Sequence, residues 1–222
     1  MRPRYAAVLF DLDGTLVDSA PDLAGAANEM RVARFAPVVA YESLRCVVGN
    51  GARGMVAAAF GMAPGTAEYD ALRDEFLARY EARLTRETRV FADMTNVLDA
   101  LDAQSVPWGI VTNKIERYTG PIVHCLGLAA RARVVVSGDT TPHAKPHPAP
   151  LLEAARRIAV AASACVYIGD DLRDVLAGRA ANMATIAAGW GYHGEGASIA
   201  DWNADAVAQR PIDLLPLLVA GA

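Results

Sequence analysis

Cysteine and histidine are scarce: three Cys (Cys46, Cys125, Cys165) and four His among 222 residues. The cysteines are odd in number, scattered and without a C-x-x-C pair, so neither a disulfide framework nor a thiolate zinc centre is indicated, and small buried thiols are expected. An excess of basic charge is also missing. Lys and Arg number 21 against 25 Asp and Glu, a formal net charge of -4 with both signs interspersed. That leaves no basic stripe for nucleic acid and no polybasic membrane anchor. No apolar run approaches the roughly 20 residues of a membrane-spanning helix. The run behind Arg2 and Arg4, "YAAVLF", is too short for a signal peptide and ends on an aspartate. Repeats and low-complexity tracts are absent as well. The expectation is a soluble cytoplasmic protein, monomer or homodimer, with no nucleic-acid or membrane partner.

What is present is an ordinary globular composition, 53% apolar and 21% charged, rich in helix-favouring alanine. Short apolar runs recur along the chain: "YAAVLF", "WGIVT", "ARVVVS", "ACVYIG" and "ATIAAG". Runs apolar on both faces read as parallel strands covered by helices. Residues 93–104, 116–127, 148–159 and 171–181 read as those helices. The class is α/β, a doubly wound, mostly parallel Rossmann-like sheet, in which sites form at the carboxyl ends of the strands. From residue 17 to 88 no convincing strand occurs, but "EYDALRDEFLARYEARL" at 68–84 places Leu72, Phe76, Leu77, Tyr80 and Leu84 at helical spacing. A structureless connection of that length is implausible in a compact domain. Residues 17–88 are therefore expected to be an inserted all-helical unit, and residues 1–16 and 89–222 the core.

The strand ends carry the chemistry. Asp11 and Asp13 follow the first strand in "DLDGT", Thr112 and Asn113 the second in "VTNK", Lys145 sits in "AKPHP" after the third, and Asp170, Asp171 and Asp174 follow the fourth in "GDDLRD". Two carboxylates two residues apart repel unless a cation or proton relieves them. Oxygen-only donors without His or Cys suit a hard cation such as Mg²⁺, and with Lys145 that cation would neutralise a phosphate dianion. A carboxylate can serve as nucleophile in phosphoryl transfer, and a second one beside it can protonate the leaving alcohol and activate water.

These four motifs, in this order and with a helical insertion after the first, resemble the haloacid dehalogenase superfamily, and the match spans nearly the whole chain. The resemblance implies Asp11 as nucleophile and Asp13 as general acid and base. It implies phosphoryl binding by Thr112, Lys145 and, from the neighbouring backbone position, Asn113. The Mg²⁺ set would be Asp11, the backbone carbonyl of Asp13 and Asp170, with Asp174 orienting it. An aspartate at position 13 argues for phosphatase or mutase chemistry over dehalogenation. The inserted helices would be a cap that excludes water, and specificity would lie in "VVGNGARG", in Gly49, Asn50, Gly51 and Arg53, the last pairing with a substrate carboxylate. "VGNGA", "KPHPAPLL" and "WGYHGEG" resemble bacterial phosphoglycolate phosphatases. "NGARGMVAAAF", "LRDEFLARY", "WGIVTNK" and "GDDLRDVLAGRAANMAT" look equally like N-acetylmuramic acid 6-phosphate phosphatases. The implied substrate is a small carboxylate-bearing phosphate monoester. A sugar phosphomutase is the nearest enzymatic alternative, and a receiver-like phospho-signalling module the alternative of another class.

Other conspicuous residues read more simply. Pro146 and Pro148 rule out a regular helix between His143 and His147, so these are surface histidines. His193 reads as a loop histidine, and Trp108, Trp190 and Trp202 as packing residues. Asp171 has no assigned role.

Overall fold

The computed structural model describes residues 2–193, 196 and 198–220. A two-residue strand, β1 (Arg2–Pro3), precedes β2 (Ala7–Phe10), in which every residue is buried. A strand without a solvent face must lie inside a sheet covered on both sides. After the two-residue β3 (Val17–Asp18) come four helices, α1 (Ala20–Val32), α2 (Tyr41–Arg45), α3 (Gly51–Phe60) and α4 (Ala67–Glu81). The two-residue β4 (Arg89–Val90) then pairs antiparallel with β3, Val17 opposite Val90 and Asp18 opposite Arg89. The chain thus leaves for the helices and returns at one place.

Strand and helix alternate from there: α5 (Met94–Ala103), β5 (Trp108–Val111), α6 (Glu116–Cys125), β6 (Val134–Val136), α7 (Ala149–Arg157), β7 (Cys165–Gly169), α8 (Leu172–Ala180) and β8 (Ala184–Ala188). The end of the chain adds β9 (Ala206–Ala208), the short α9 (Leu215–Leu218) and β10 (Val219–Ala220), which pairs with β1. The main sheet runs β6-β5-β2-β7-β8-β9, every pair parallel. Five of its strands coincide with the five apolar runs. The sixth, β9, was not anticipated: it is a bare Ala-Val-Ala between Asp205 and Gln209 with Val207 exposed, so it offers too little buried apolar side chain to stand out.

Side chains alternate across the sheet. Val8 and Phe10 enter the larger apolar cluster with Ile110, Val166 and Ile168, and Ala7 and Leu9 enter the opposite one with Val111, Leu151 and Tyr167. Phe10 meets Trp108 edge to face at 6.3 Å, and the Trp108 Nε1 donates to Asp102 Oδ1 at 2.8 Å. Each such large side chain, fully buried, contributes about 1.5–3 kcal/mol. On α4, Tyr69, Leu72, Phe76 and Tyr80 make the buried stripe; the helix ends at Glu81, so Leu84, though buried, lies beyond it.

The exit and return of the inserted segment are tied by Asp22. This fully buried carboxylate accepts from the Thr88 amide at 2.8 Å, the Thr88 hydroxyl at 2.8 Å and the Glu87 amide at 3.0 Å, and pairs with Arg83 at 3.3 Å. A buried charge is tolerated when it is paired and hydrogen-bonded in this way. The cysteines depart from expectation: all three are free, but only Cys165 is buried, with its thiol pushed up to about 11 by burial, while Cys46 is half-buried and Cys125 exposed. None of the helices formed by the described residues is long and apolar enough to cross a membrane.

Candidate active site

The carboxyl end of β2 delivers Asp11. Its amide donates to Ile168 O of β7 at 2.8 Å, and its Oδ1 accepts from the Leu12 amide at 2.8 Å. The following turn needs glycine. Gly14 has φ +81°, and a Cβ there would sit 2.1 Å from an Asp170 oxygen. Thr15 then donates its hydroxyl to Asp170 Oδ1 at 2.9 Å, while the Tyr192 amide donates to Oδ2 at 2.8 Å. Asp170 is thereby held from both sides, and Gly191 likewise leaves no space for a Cβ beside it.

Lys145 is the cation of this floor. Its Nζ lies 2.9 Å from Asp11 Oδ1 and 2.7 Å from Asp174 Oδ1, and it also donates to Tyr167 Oη at 2.8 Å and Val111 O at 3.2 Å. Burial alone would lower the ammonium's pKa; Asp11 and Asp174 outweigh it and hold Lys145 charged. Asn113 secures the lysine's backbone, Nδ2 donating to Lys145 O at 3.0 Å and Oδ1 accepting from the Lys145 amide at 2.9 Å. The Asn113 amide group is therefore taken up by the loop. Thr112 lies buried beside it, its hydroxyl accepting from the Lys114 amide at 3.1 Å.

Asp11, Asp170 and Asp174 come within 4.8 Å of one another through one carboxylate oxygen each. Three acids therefore face one ammonium. Burial pushes the Asp11 carboxyl up to about 7, Lys145 opposing and Asp174 and Asp13 adding to the rise. Asp170 is driven well above the usual carboxylate range by burial and by Asp11 and Asp174. A compact, oxygen-only, charge-deficient cluster is the setting a hard divalent cation fits. The His143 and His147 rings lie tilted at 4.3 Å on the exposed loop and, among the described residues, join no such group.

The Asp13 side chain is turned elsewhere. Ser19 Oγ donates to its Oδ1 at 2.5 Å, and Lys114 Nζ lies 3.3 Å from its Oδ2. Asp171 acquires a role as well. It caps α8, accepting from the Arg173 amide at 2.8 Å, and pairs with the Arg173 guanidinium at 2.7 Å, while Arg173 donates to Gly49 O at 2.6 Å. Asp174, three residues on, accepts the Asp171 amide at 3.0 Å and completes the capping box.

The five aspartates, Thr112, Asn113 and Lys145 line one cavity of about 310 Å³. Its floor is Asp11, Asp13, Thr112, Asn113, Lys145, Asp170 and Asp174; its walls are Leu23, Val48, Gly49, Gly51, Ala52, Phe76, Leu77 and Tyr80 from the inserted segment, with Ile115 and Tyr118, the latter ring beside that of Tyr80. Of the four expected specificity residues, Gly49 and Gly51 line it. Asn50 and Arg53 do not; both are exposed. At about 100° per residue, the turn that brings Gly51 and Ala52 of α3 to the cavity carries Arg53 past it to solvent. The cations that do line it besides Lys145 are Lys114 and Arg173, which the sequence reading passed over. Lys114 is adjacent to the "TN" pair, and Arg173 sits inside "GDDLRD", so both were within recognised motifs. His193 is a loop residue held to Ala188 O at 2.9 Å and edge-on to Trp202. Trp190 donates Nε1 to Thr15 O at 3.1 Å.

A doubly wound, Rossmann-like parallel sheet with an acid-and-lysine floor at its strand ends, roofed by helices inserted after the first core strand, defines the class: a hydrolase of the haloacid dehalogenase-like kind. The family model of haloacid dehalogenase-like hydrolases matches residues 8–188, and the chain belongs to that family of enzymes. It is 47% identical over 208 residues to a phosphoglycolate phosphatase of Xanthomonas campestris pv. campestris, 94% of each chain being covered. It is 42% identical over 217 residues to an N-acetylmuramic acid 6-phosphate phosphatase of Pseudomonas aeruginosa, covering 98% of this chain and 96% of that one. Among solved structures it resembles one from Haemophilus somnus described as a predicted phosphoglycolate phosphatase, with TM-score 0.85, 26% identity, and 98% and 99% of the two chains covered.

Proposed function

We propose that the protein hydrolyses a small carboxylate-bearing phosphate monoester in the manner of a phosphoglycolate phosphatase, through an aspartyl-phosphate on Asp11. The observation that carries this reading is the convergence of Asp11, Asp13, Thr112 and Lys145 with the Asp170 and Asp174 carboxyls on one cavity floor. Residues 17–88 act as the cap and the remainder as the core. The tie between the two ends of the segment, through Asp22 and the β3–β4 pair, supports that boundary.

An Asp11 oxygen attacks phosphorus and the phosphorus–ester oxygen bond breaks, its electron pair leaving with the alcohol, which takes a proton from the Asp13 carboxyl. Asp13, now a carboxylate, takes a proton from water as the water oxygen attacks phosphorus. The Asp11–phosphorus bond then breaks, returning Asp11 as carboxylate and releasing phosphate. Lys145 and Thr112 hold the phosphoryl oxygens. Asp11, the Asp13 carbonyl and Asp170, with Asp174 behind them, would hold Mg²⁺, which supplies charge neutralisation of the phosphate. Positioning and electrostatics account for most of the acceleration expected of such a site. A freely diffusing small molecule is the only partner this chemistry requires.

The walls favour a second reading for the substrate. Phe76, Leu77, Tyr80 and Tyr118 give the cavity a broad apolar and aromatic side, which a two-carbon acid leaves largely uncovered and an amino-sugar ring would fill. The deciding experiment is kcat/KM for 2-phosphoglycolate against N-acetylmuramic acid 6-phosphate in Mg²⁺, with phosphate release as readout. A preference of about a hundredfold, some 2.7 kcal/mol of differential transition-state binding, assigns the substrate. Failure to release phosphate from either ester defeats the carboxylate-bearing reading. Conversion of a hexose 1-phosphate to its 6-phosphate would favour the mutase.

A further inference from the structure

We propose that Lys114 and Tyr80 are a positioning pair for Asp13, an inference that rests on the proposed role of Asp13 as acid and base. The Lys114 side chain is 9% exposed, its Nζ 3.3 Å from Asp13 Oδ2 and donating to Tyr80 Oη at 2.7 Å. The ammonium also lies 4.6 Å from the Tyr80 ring centroid. Tyr80 itself is buried, stacked on Phe76 at 6.3 Å and tilted against Tyr118 at 5.7 Å. Burying an ammonium is expensive unless it is paired, and Asp13 is the carboxylate with which Lys114 pairs. With Lys114 on Oδ2 and the Ser19 hydroxyl on Oδ1, both oxygens of Asp13 are engaged and the plane of the carboxyl is set.

The origin of these groups gives the arrangement its consequence. Asp13 follows β2 and Lys114 precedes α6, but Tyr80 arrives from α4 of the inserted segment. The helix that supplies the cavity's aromatic wall therefore also seats the lysine that orients the acid. Substrate acceptance by that wall and placement of the acid share one side chain.

The test uses leaving-group dependence, because a carboxyl that protonates the departing alcohol matters for alkyl esters and hardly at all for 4-nitrophenyl phosphate, whose phenolate leaves unaided. kcat/KM, which reports the steps through alcohol departure, is measured in Mg²⁺ on 2-phosphoglycolate, propyl phosphate and 4-nitrophenyl phosphate. Asp13→Asn serves as the control, beside Lys114→Met, Lys114→Arg and Tyr80→Phe. Lys114→Met is expected to lose roughly 30-fold or more on both alkyl esters and less than about threefold on the aryl ester, acid catalysis being worth about 10²–10⁴. Tyr80→Phe, which keeps the ring packing, should show the same pattern more weakly, and Lys114→Arg should recover part of the loss. Equal losses on all three esters in the Lys114 and Tyr80 variants would overturn the inference and leave a structural role. A loss confined to 2-phosphoglycolate would overturn it in favour of a direct contact between Lys114 and the substrate carboxylate. If Asp13→Asn itself shows no leaving-group dependence, the reading of Asp13 fails and the inference with it.

Discussion

The floor and the walls of the cavity obey different rules. On the floor every charged group is held by at least two others: Lys145 by Asp11, Asp174, Tyr167 and Val111, Asp170 by Thr15 and Tyr192, Asp13 by Ser19 and Lys114. The walls are apolar, and their contact with a ligand is shape and area. On the proposed mechanism the floor would fix which bond is broken, and small displacements there would be costly because electrostatic stabilisation requires preorganised groups. On the same proposal the walls would select which alcohol is carried to it, where one lost contact changes affinity by a modest factor. Variants on the two surfaces should accordingly differ in both size and kind of effect.

The largest effect belongs to the floor. Asp11→Asn is expected to lower kcat by ~10⁴-fold or more, about 5.4 kcal/mol of barrier, with an unchanged circular dichroism spectrum. Retained turnover would remove Asp11 as nucleophile. Chelation with EDTA should abolish phosphate release in the wild type and added Mg²⁺ should restore it; indifference to chelation would sink the metal assignment of the Asp11, Asp170 and Asp174 cluster. On the wall, Phe76→Ala should raise KM for an amino-sugar phosphate by roughly tenfold while leaving 2-phosphoglycolate within about threefold, since a truncated apolar contact is worth about 1–3 kcal/mol. Equal effects on the two substrates would show that Phe76 supports the fold and touches neither. The smallest effect is expected of Arg53→Ala, under about twofold in kcat/KM for either substrate, as for an exposed charge outside the cavity. A tenfold rise in KM there would restore it as the residue that reads the substrate carboxylate.

The same division explains what was legible in the sequence. A polar residue directly after a buried apolar run marks a strand end, so Asp11, Asp13, Thr112 and Asp170 could be placed together from the run order alone, and the five strands of those runs with them. What joins distant segments was not legible. The insertion's limits could be bracketed, but Asp22 as the clasp of its two ends depends on Thr88 and Arg83, 66 and 61 residues away. Arg53 was expected at the site because it lies in the glycine-bearing "VVGNGARG" loop, and only the phase of α3 shows that it faces solvent. Lys114 was adjacent to a recognised motif, yet its partner Tyr80 lies 34 residues earlier and read simply as part of a helical stripe. The β9 strand, no shorter than β6 but with Val207 exposed and Asp205 and Gln209 flanking it, left no buried apolar run to register.

The covalent role of Asp11 is tested most directly by rapid acid quench during turnover of a ³²P-labelled substrate ester. The expected result is a hydroxylamine-labile phosphoryl group that maps to Asp11 and is absent from Asp11→Asn. Turnover with no phosphoprotein formed, or a label on any other side chain, would contradict the proposal.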